Sequence, residues 1–196
     1  MRDERQTFFD RLAPSWDREA AQDVTPSIVA RLELRPGERI LDVGAGTGRL
    51  SRALAAAVGP MGLVLGLDFS RKMLQVAREH KSAAWQHLVC ADVLHLPVPA
   101  CSFDRVVCFC CFPHFRNQPR ALRELRTALA PGGRIYVIHE ESSEAVNMRH
   151  RQIGGAVAHD FLPSAEAMRA MFHACGLKNT VCEDRPGLFW AEAVKE

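Results

Sequence analysis

The chain has 196 residues, 47% hydrophobic and 24% charged, with 13 Gly and 11 Pro. That is the composition of one soluble globular domain, able to bury roughly 70% of its unfolded surface without a disulfide scaffold or a structural metal. Lys and Arg exceed Asp and Glu by only two, 25 against 23, which speaks against holding a nucleic-acid backbone by charge, and no run approaches the roughly 18 apolar residues of a membrane span.

In chain order, residues 1–25, with Phe8, Phe9 and Trp16, precede the first alternating unit and are expected to form an N-terminal helical lid on a domain covering 26–196. Short apolar strands are predicted over 39–43, 63–67, 85–90, 105–109 and 134–139. Between them lie helical patterns. One covers 49–58 and stops at Gly59-Pro60, one starts after an N-capping Ser70 and runs to about residue 80, and one covers 117–130. Pro131-Gly132-Gly133 reads as a helix stop and turn. Strands alternating with helices predict an α/β fold with a mainly parallel sheet. The rhythm changes over 141–161, a polar, histidine-bearing cap segment. A helix follows over 163–175, with Met168, Met171 and Phe172 as core, and then two β-prone runs flank Asp184-Arg185-Pro186-Gly187 as a hairpin. The seven cysteines are odd in number and irregularly spaced, and MRDERQTFFD is charged where a secretion signal needs an apolar run. Both features predict free thiols in a reducing cytoplasm.

The segment Asp42-Val43-Gly44-Ala45-Gly46-Thr47-Gly48 takes a strand through glycines into a helix, so backbone can approach a ligand closely and unpaired N–H groups face it. A dinucleotide fingerprint would need Gly where Arg49 stands. An acid at Asp42 instead suggests a ligand with an ammonium group. Asp68 ends the second strand about 20 residues on, where a carboxylate can accept from both hydroxyls of a ribose, and Asp92 after the third strand can accept from an adenine amino group with Val93 against the ring. In a parallel sheet, all three acids lie at carboxyl ends of strands.

These residues, with the run from Asp92 through Pro97 to Ser102-Phe103-Asp104 and with Leu129-Ala130-Pro131-Gly132-Gly133, resemble the ordered motifs of class I S-adenosylmethionine-dependent methyltransferases. Residues 9–17, Phe-Asp-Arg-Leu-Ala-Pro-Ser-Trp-Asp, further resemble the lead-in of the ubiquinone/menaquinone-biosynthesis-like small-molecule branch, with Trp16 where Tyr is common. The resemblance implies a three-layer, Rossmann-like sheet of seven strands, mostly parallel with the last antiparallel. It implies S-adenosylmethionine as cofactor, a small-molecule methyl acceptor, and cofactor contacts from Trp16, Asp42, Gly44, Ala45, Gly46, Gly48, Asp68, Phe69, Met73, Asp92, Val93 and Phe109. It also implies that the chain after Phe109 borders the methyl group.

That chain reads Cys110-Cys111-Phe112-Pro113-His114-Phe115 and lacks the Pro-Pro-Tyr pattern of methyltransferases acting on nucleic-acid bases or glutamine. His114 is a candidate general base, because an imidazole titrates near neutral pH. Cys108, Cys110 and Cys111 read as core thiols or as a soft site for a metalloid or thiol substrate. In the cap segment, His150 and His159 stand nine residues apart, on opposite faces of one helix. A break at Gly154-Gly155 would let His139, His150 and His159 converge with an acid as a substrate cap or a metal site. No metal is assigned to them. The rival to methyl transfer at this stage is a non-catalytic cofactor-binding or interaction module on the same fold.

Overall fold

Seven strands, β1 (Arg39–Val43), β2 (Leu63–Asp68), β3 (Gln86–Cys90), β4 (Phe103–Phe109), β5 (Leu129–His139), β6 (Lys178–Arg185) and β7 (Leu188–Val194), form one sheet in the order β3-β2-β1-β4-β5-β7-β6. The computed structural model describes residues 4–18 and 25–196. Strand order steps one way from β1 to β3 and the other way from β4 onward, the doubly wound pattern of Rossmann-like sheets. Only β7 runs against its neighbours. The expected fold class is the observed one. The chain divides into two compact units, Met1–Asp92 and Val93–Glu196.

In the first unit, α1 (Glu4–Leu12), a short 3-10 turn (Trp16–Arg18) and α2 (Thr25–Leu32) precede β1, while α3 (Arg49–Val58) and α4 (Arg71–Glu79) make the crossovers to β2 and β3. Parts of the expected lid, residues 1–3 and 19–24, lie outside the described residues. Helix α3 is amphipathic: Leu50, Leu54, Ala55 and Val58 are buried, each large side chain contributing about 1.5–3 kcal/mol. It stops at Gly59, whose φ of 68° suits only glycine. Ser70 caps α4 as expected, its hydroxyl accepting from the Met73 N–H at 3.1 Å. Parallel pairing of β1 with β2 sets Asp42 beside Gly66. A Cβ on Gly66 would meet Leu88 Cδ2 at 2.8 Å and Ser51 Oγ at 2.9 Å, so this strand position admits no side chain.

The second unit contains α5 (Gln118–Ala128), α6 (Ser143–Ile153) and α7 (Ala165–Ala174). Asn117 caps α5 through its side-chain oxygen. Residues 131–133 do not form the expected turn. Helix α5 ends at Ala128 and β5 starts at once, because Leu129 pairs with Phe103, and Gly132 N–H and Gly133 C=O bond to Lys195. Gly132, at φ 75°, absorbs the irregularity inside the strand. Helix α6 breaks at Gly154, φ 71°, as the Gly-Gly pair predicts. Met168 and Phe172 of α7 are fully buried, as expected of core, and β6 and β7 form the terminal hairpin. Among the described residues no helix is long and apolar enough to cross a membrane.

Candidate active site

The glycine turn leaves β1 with Gly44, Gly46 and Gly48 all at positive φ, 70°, 55° and 78°. Gly44 and Ala45 N–H groups both donate to Leu67 C=O, at 2.7 and 3.0 Å, which ties the turn to the end of β2. Gly46 N–H donates to Asp68 Oδ2 at 2.8 Å, and Ser70 N–H donates to Asp68 Oδ1 at 2.7 Å. These bonds orient the carboxylate, which keeps acceptor capacity for ligand hydroxyls.

Asp42 and Asp68 are 1% and 6% exposed. Burial pushes Asp42 up to about 7, the Ser51 hydrogen bond lowers it, and the Asp68 charge raises it further. Asp68 rises to about 6, chiefly through burial; the Ser70 and Gly46 N–H groups oppose the rise and the Asp10 charge adds to it. Neither acid has a cationic partner among the described residues, and two buried carboxylates so placed favour a ligand that carries positive charge. The Ser51 hydroxyl, 2.5 Å from Asp42 Oδ2, was not singled out from sequence; its place one turn into α3 was the available signal.

Helix α1 is fastened over this edge of the first unit. Gln6 Nε2 donates to Phe69 C=O at 2.7 Å and the Ser70 hydroxyl donates to Asp10 Oδ1 at 2.6 Å. The Phe9 ring packs edge-on against Trp16 and Phe69, with centroids 5.9 and 5.8 Å away. The Thr47 hydroxyl donates to Asp17 Oδ1 at 2.6 Å, and a Cβ on Gly46 would sit 3.9 Å from Trp16 Nε1. The structure therefore brings Trp16, Gly46, Asp68 and Phe69 together as a cluster. Met73 is buried one turn into α4. Asp92 is exposed, just past the end of β3.

In the second unit, Val93 is buried at the start of a short 3-10 turn, and Phe109, half-buried, ends β4. Cys110 follows with φ 52°, a left-handed conformation rare outside glycine. Of the three clustered thiols, Cys108 and Cys111 are buried in the core and Cys110 is half-buried. His114 closes the next turn, its Nδ1 2.9 Å from Asp160 Oδ2. Asp160 is turned inward because its segment is clamped. Asn147 exchanges two hydrogen bonds with Leu162, at 2.7 and 3.0 Å, and Gln118 Nε2 donates to Phe161 C=O at 2.9 Å. The Asp160 carbonyl lies 2.5 Å from His150 Nδ1, and the His114 and His150 rings are 4.9 Å apart.

His139, 2% exposed at the end of β5, has a buried Nε2 without a hydrogen-bond partner. Burial drives its pKa down to about 3, aided by the charges of His114, His150 and Arg149. Burial likewise lowers His150. Of the three histidines of the expected cap, His139 and His150 are buried, while His159 is exposed and packs on Phe161. His114 lies against His150. Among the described residues no group of three or more metal-ligating side chains can hold an ion.

The comparisons agree with this geometry. Residues 41–137 match the family described as a methyltransferase domain. A ubiquinone/menaquinone biosynthesis C-methyltransferase, UbiE, of Burkholderia vietnamiensis is 38% identical over 113 residues, which cover 56% of this chain and 46% of that protein. The chain spans about half the length of the curated relatives it matches. Among solved structures, a complex of the Haloferax volcanii Trm112 methyltransferase activator with a methyltransferase superposes with TM-score 0.80 at 23% identity, covering 99% of this chain and 98% of that one. An Aquifex aeolicus SAM-dependent methyltransferase gives TM-score 0.74 at 19% identity, covering 97% and 98%. The chain is thus similar in sequence to a methyltransferase domain over residues 41–137, and similar in fold to solved methyltransferases over nearly its whole length.

Proposed function

We propose that the protein transfers a methyl group from S-adenosylmethionine to a small-molecule acceptor in the cytoplasm. The observation that carries this reading is the Asp68 carboxylate, oriented by Gly46 and Ser70 N–H groups beside a three-glycine turn. Asp68 would hold the ribose hydroxyls, and Asp42 with the turn of Gly44, Ala45, Gly46 and Gly48 would face the ammonium end. Asp92 and Val93 would serve the adenine, with Trp16, Phe69, Met73 and Phe109 as apolar contacts. When bound, the cofactor supplies an already activated methyl group, displaced in line by an acceptor lone pair.

The protein's remaining work is positioning, which in well-oriented systems is worth roughly 7–11 kcal/mol, and removal of a proton. His114 suits the second task. A carboxylate only accepts, so the His114 nitrogen facing Asp160 is the N–H and Nε2 carries the lone pair. The proton arriving on Nε2 leaves an imidazolium held by Asp160, whose side chain is 1% exposed. The resemblance implies that the chain after Phe109 borders the methyl group, and His114 lies on that chain.

Calorimetry with S-adenosylhomocysteine, followed by transfer of labelled methyl from S-adenosylmethionine into a metabolite extract, tests the proposal. Binding plus transfer is expected. No binding at millimolar ligand overturns it, and tight binding with no transfer into any extract favours a non-catalytic module.

A further inference from the structure

Of the seven thiols, Cys90 and Cys101 are exposed, and their surroundings differ in kind. The Cys90 Sγ faces a carbonyl, donating to Phe69 C=O at 3.7 Å. The Cys101 Sγ faces an amine, accepting from Lys195 Nζ at 3.5 Å although the two residues lie 94 apart in the chain. A thiol against a carbonyl has only a hydrogen bond open to it. A thiol against a primary amine has a nucleophile at its side, able to bond to the sulfur once oxidation has made the sulfur electrophilic.

The fold holds both groups in place. Cys101 stands just before β4 with φ 55°, a left-handed conformation uncommon for a residue with a side chain. Its N–H donates to Thr127 C=O at 2.9 Å, and the following N–H, of Ser102, donates to Ala128 C=O at 2.8 Å. Lys195 stands just after β7, where its N–H donates to Gly133 C=O at 2.9 Å and its C=O accepts from Gly132 N–H at 2.7 Å. A further bond aims the amine, from Nζ to Leu129 C=O at 2.6 Å. Among the described residues no carboxylate pairs with this amine. Its bonded partners are a carbonyl and the Cys101 sulfur.

We propose that Cys101 and Lys195 form a reversible redox cross-link, with a peroxide as the oxidant. The Cys101 sulfur attacks one peroxide oxygen and the O–O bond breaks. Sulfur is oxidised to the sulfenic acid, peroxide is reduced, and water leaves. Lys195 Nζ, having given its ammonium proton to solvent, then attacks that sulfur. The S–N bond forms as the S–O bond breaks, and the departing hydroxide takes a proton from the nitrogen and leaves as water, with no further oxidation. A thiol reductant attacks the sulfur and returns the amine. In the sheet β5 lies between β4 and β7, so the link staples the start of β4 to the end of β7 across the irregular first residues of β5.

The test treats the full chain with hydrogen peroxide and maps its peptides by mass spectrometry without reductant. A peptide joining residues 101 and 195 is expected, lighter than its two parts by a pair of hydrogen atoms and separated again by dithiothreitol. Lys195→Arg keeps the positive charge but lacks the amine, so there Cys101 is expected to stay a sulfenic acid that dimedone captures. The linked wild-type protein is expected to melt above the reduced one, because the link removes loop freedom from the unfolded chain, and Cys101→Ser is expected to abolish that rise. Absence of the linked peptide in the wild-type protein overturns the proposal, whether or not either variant folds. A linked peptide that keeps the oxygen, or that dithiothreitol leaves intact, overturns the S–N step, and an unchanged or lowered Tm overturns the staple.

Discussion

The two units each bury titratable side chains at the ends of parallel strands, but with opposite sign. The first buries acids, Asp42 and Asp68, whose pKa values rise to about 7 and about 6. The second buries imidazoles, and His139 falls to about 3. In both cases burial disfavours the charged form. The difference lies in the remedy. Acids held with few counter-charges await a cation, while the imidazoles are organised by one shared aspartate into hydrogen-bonding groups. In the proposed reading the first unit receives charge and the second moves a proton.

The contrast breaks most visibly at His114. His114→Ala is expected to lower methyl transfer by about 10²–10⁴-fold, the usual contribution of a positioned base, with S-adenosylhomocysteine affinity unchanged in calorimetry. A parallel loss of affinity would sink the division of labour. Asp68→Ala should do the reverse, weakening cofactor binding by about 1.5–3 kcal/mol for a lost hydrogen bond to a charged group; an unchanged Kd would remove its role. Gly66→Ala, which puts a Cβ within 2.8 Å of Leu88 and 2.9 Å of Ser51, should cost about 1–3 kcal/mol of stability by overpacking. Urea unfolding would show no change if the strand can move aside.

The pH dependence of stability carries the sign of each cluster. Asp42 and Asp68 move from an ordinary 3.8 up to about 7 and about 6. Between about pH 4 and pH 7 the native chain holds protons that the unfolded chain has released, so these acids make stability fall as pH rises through that window. His139 moves from an ordinary 6.5 down to about 3. Across that interval the native chain binds fewer protons, so its contribution rises with pH. Asp42→Asn should flatten the falling limb and His139→Phe the rising one, measured as urea midpoints from pH 3 to 8. The same limb lost in both variants would refute the opposite signs.

The periodicity, caps and glycine turn were legible because each is local. Arg49–Val58, the Ser70 cap and the break at Gly154 all stand where residue type and spacing put them. The start of β5 was not legible, since Leu129 joins Phe103 and Gly132 joins Lys195 across long separations that no helix-stop rule contains. Asp42 and Asp68 were readable from strand ends. The pairing of His114 with Asp160, 46 residues apart, was not, because it depends on Asn147 and Gln118 folding a returning segment inward. The same clamp turns His159 out, which helical spacing alone had kept in view.

Asp10 gives the first helix a further property. Its carboxylate fastens α1 to Ser70 at 2.6 Å and lends negative potential to Asp68. The latch and the receptor thus share a charge, and by reciprocity whatever positive ligand settles at Asp68 also tightens the latch. A positively charged ligand at Asp68 is therefore expected to hold α1 more firmly than a neutral one.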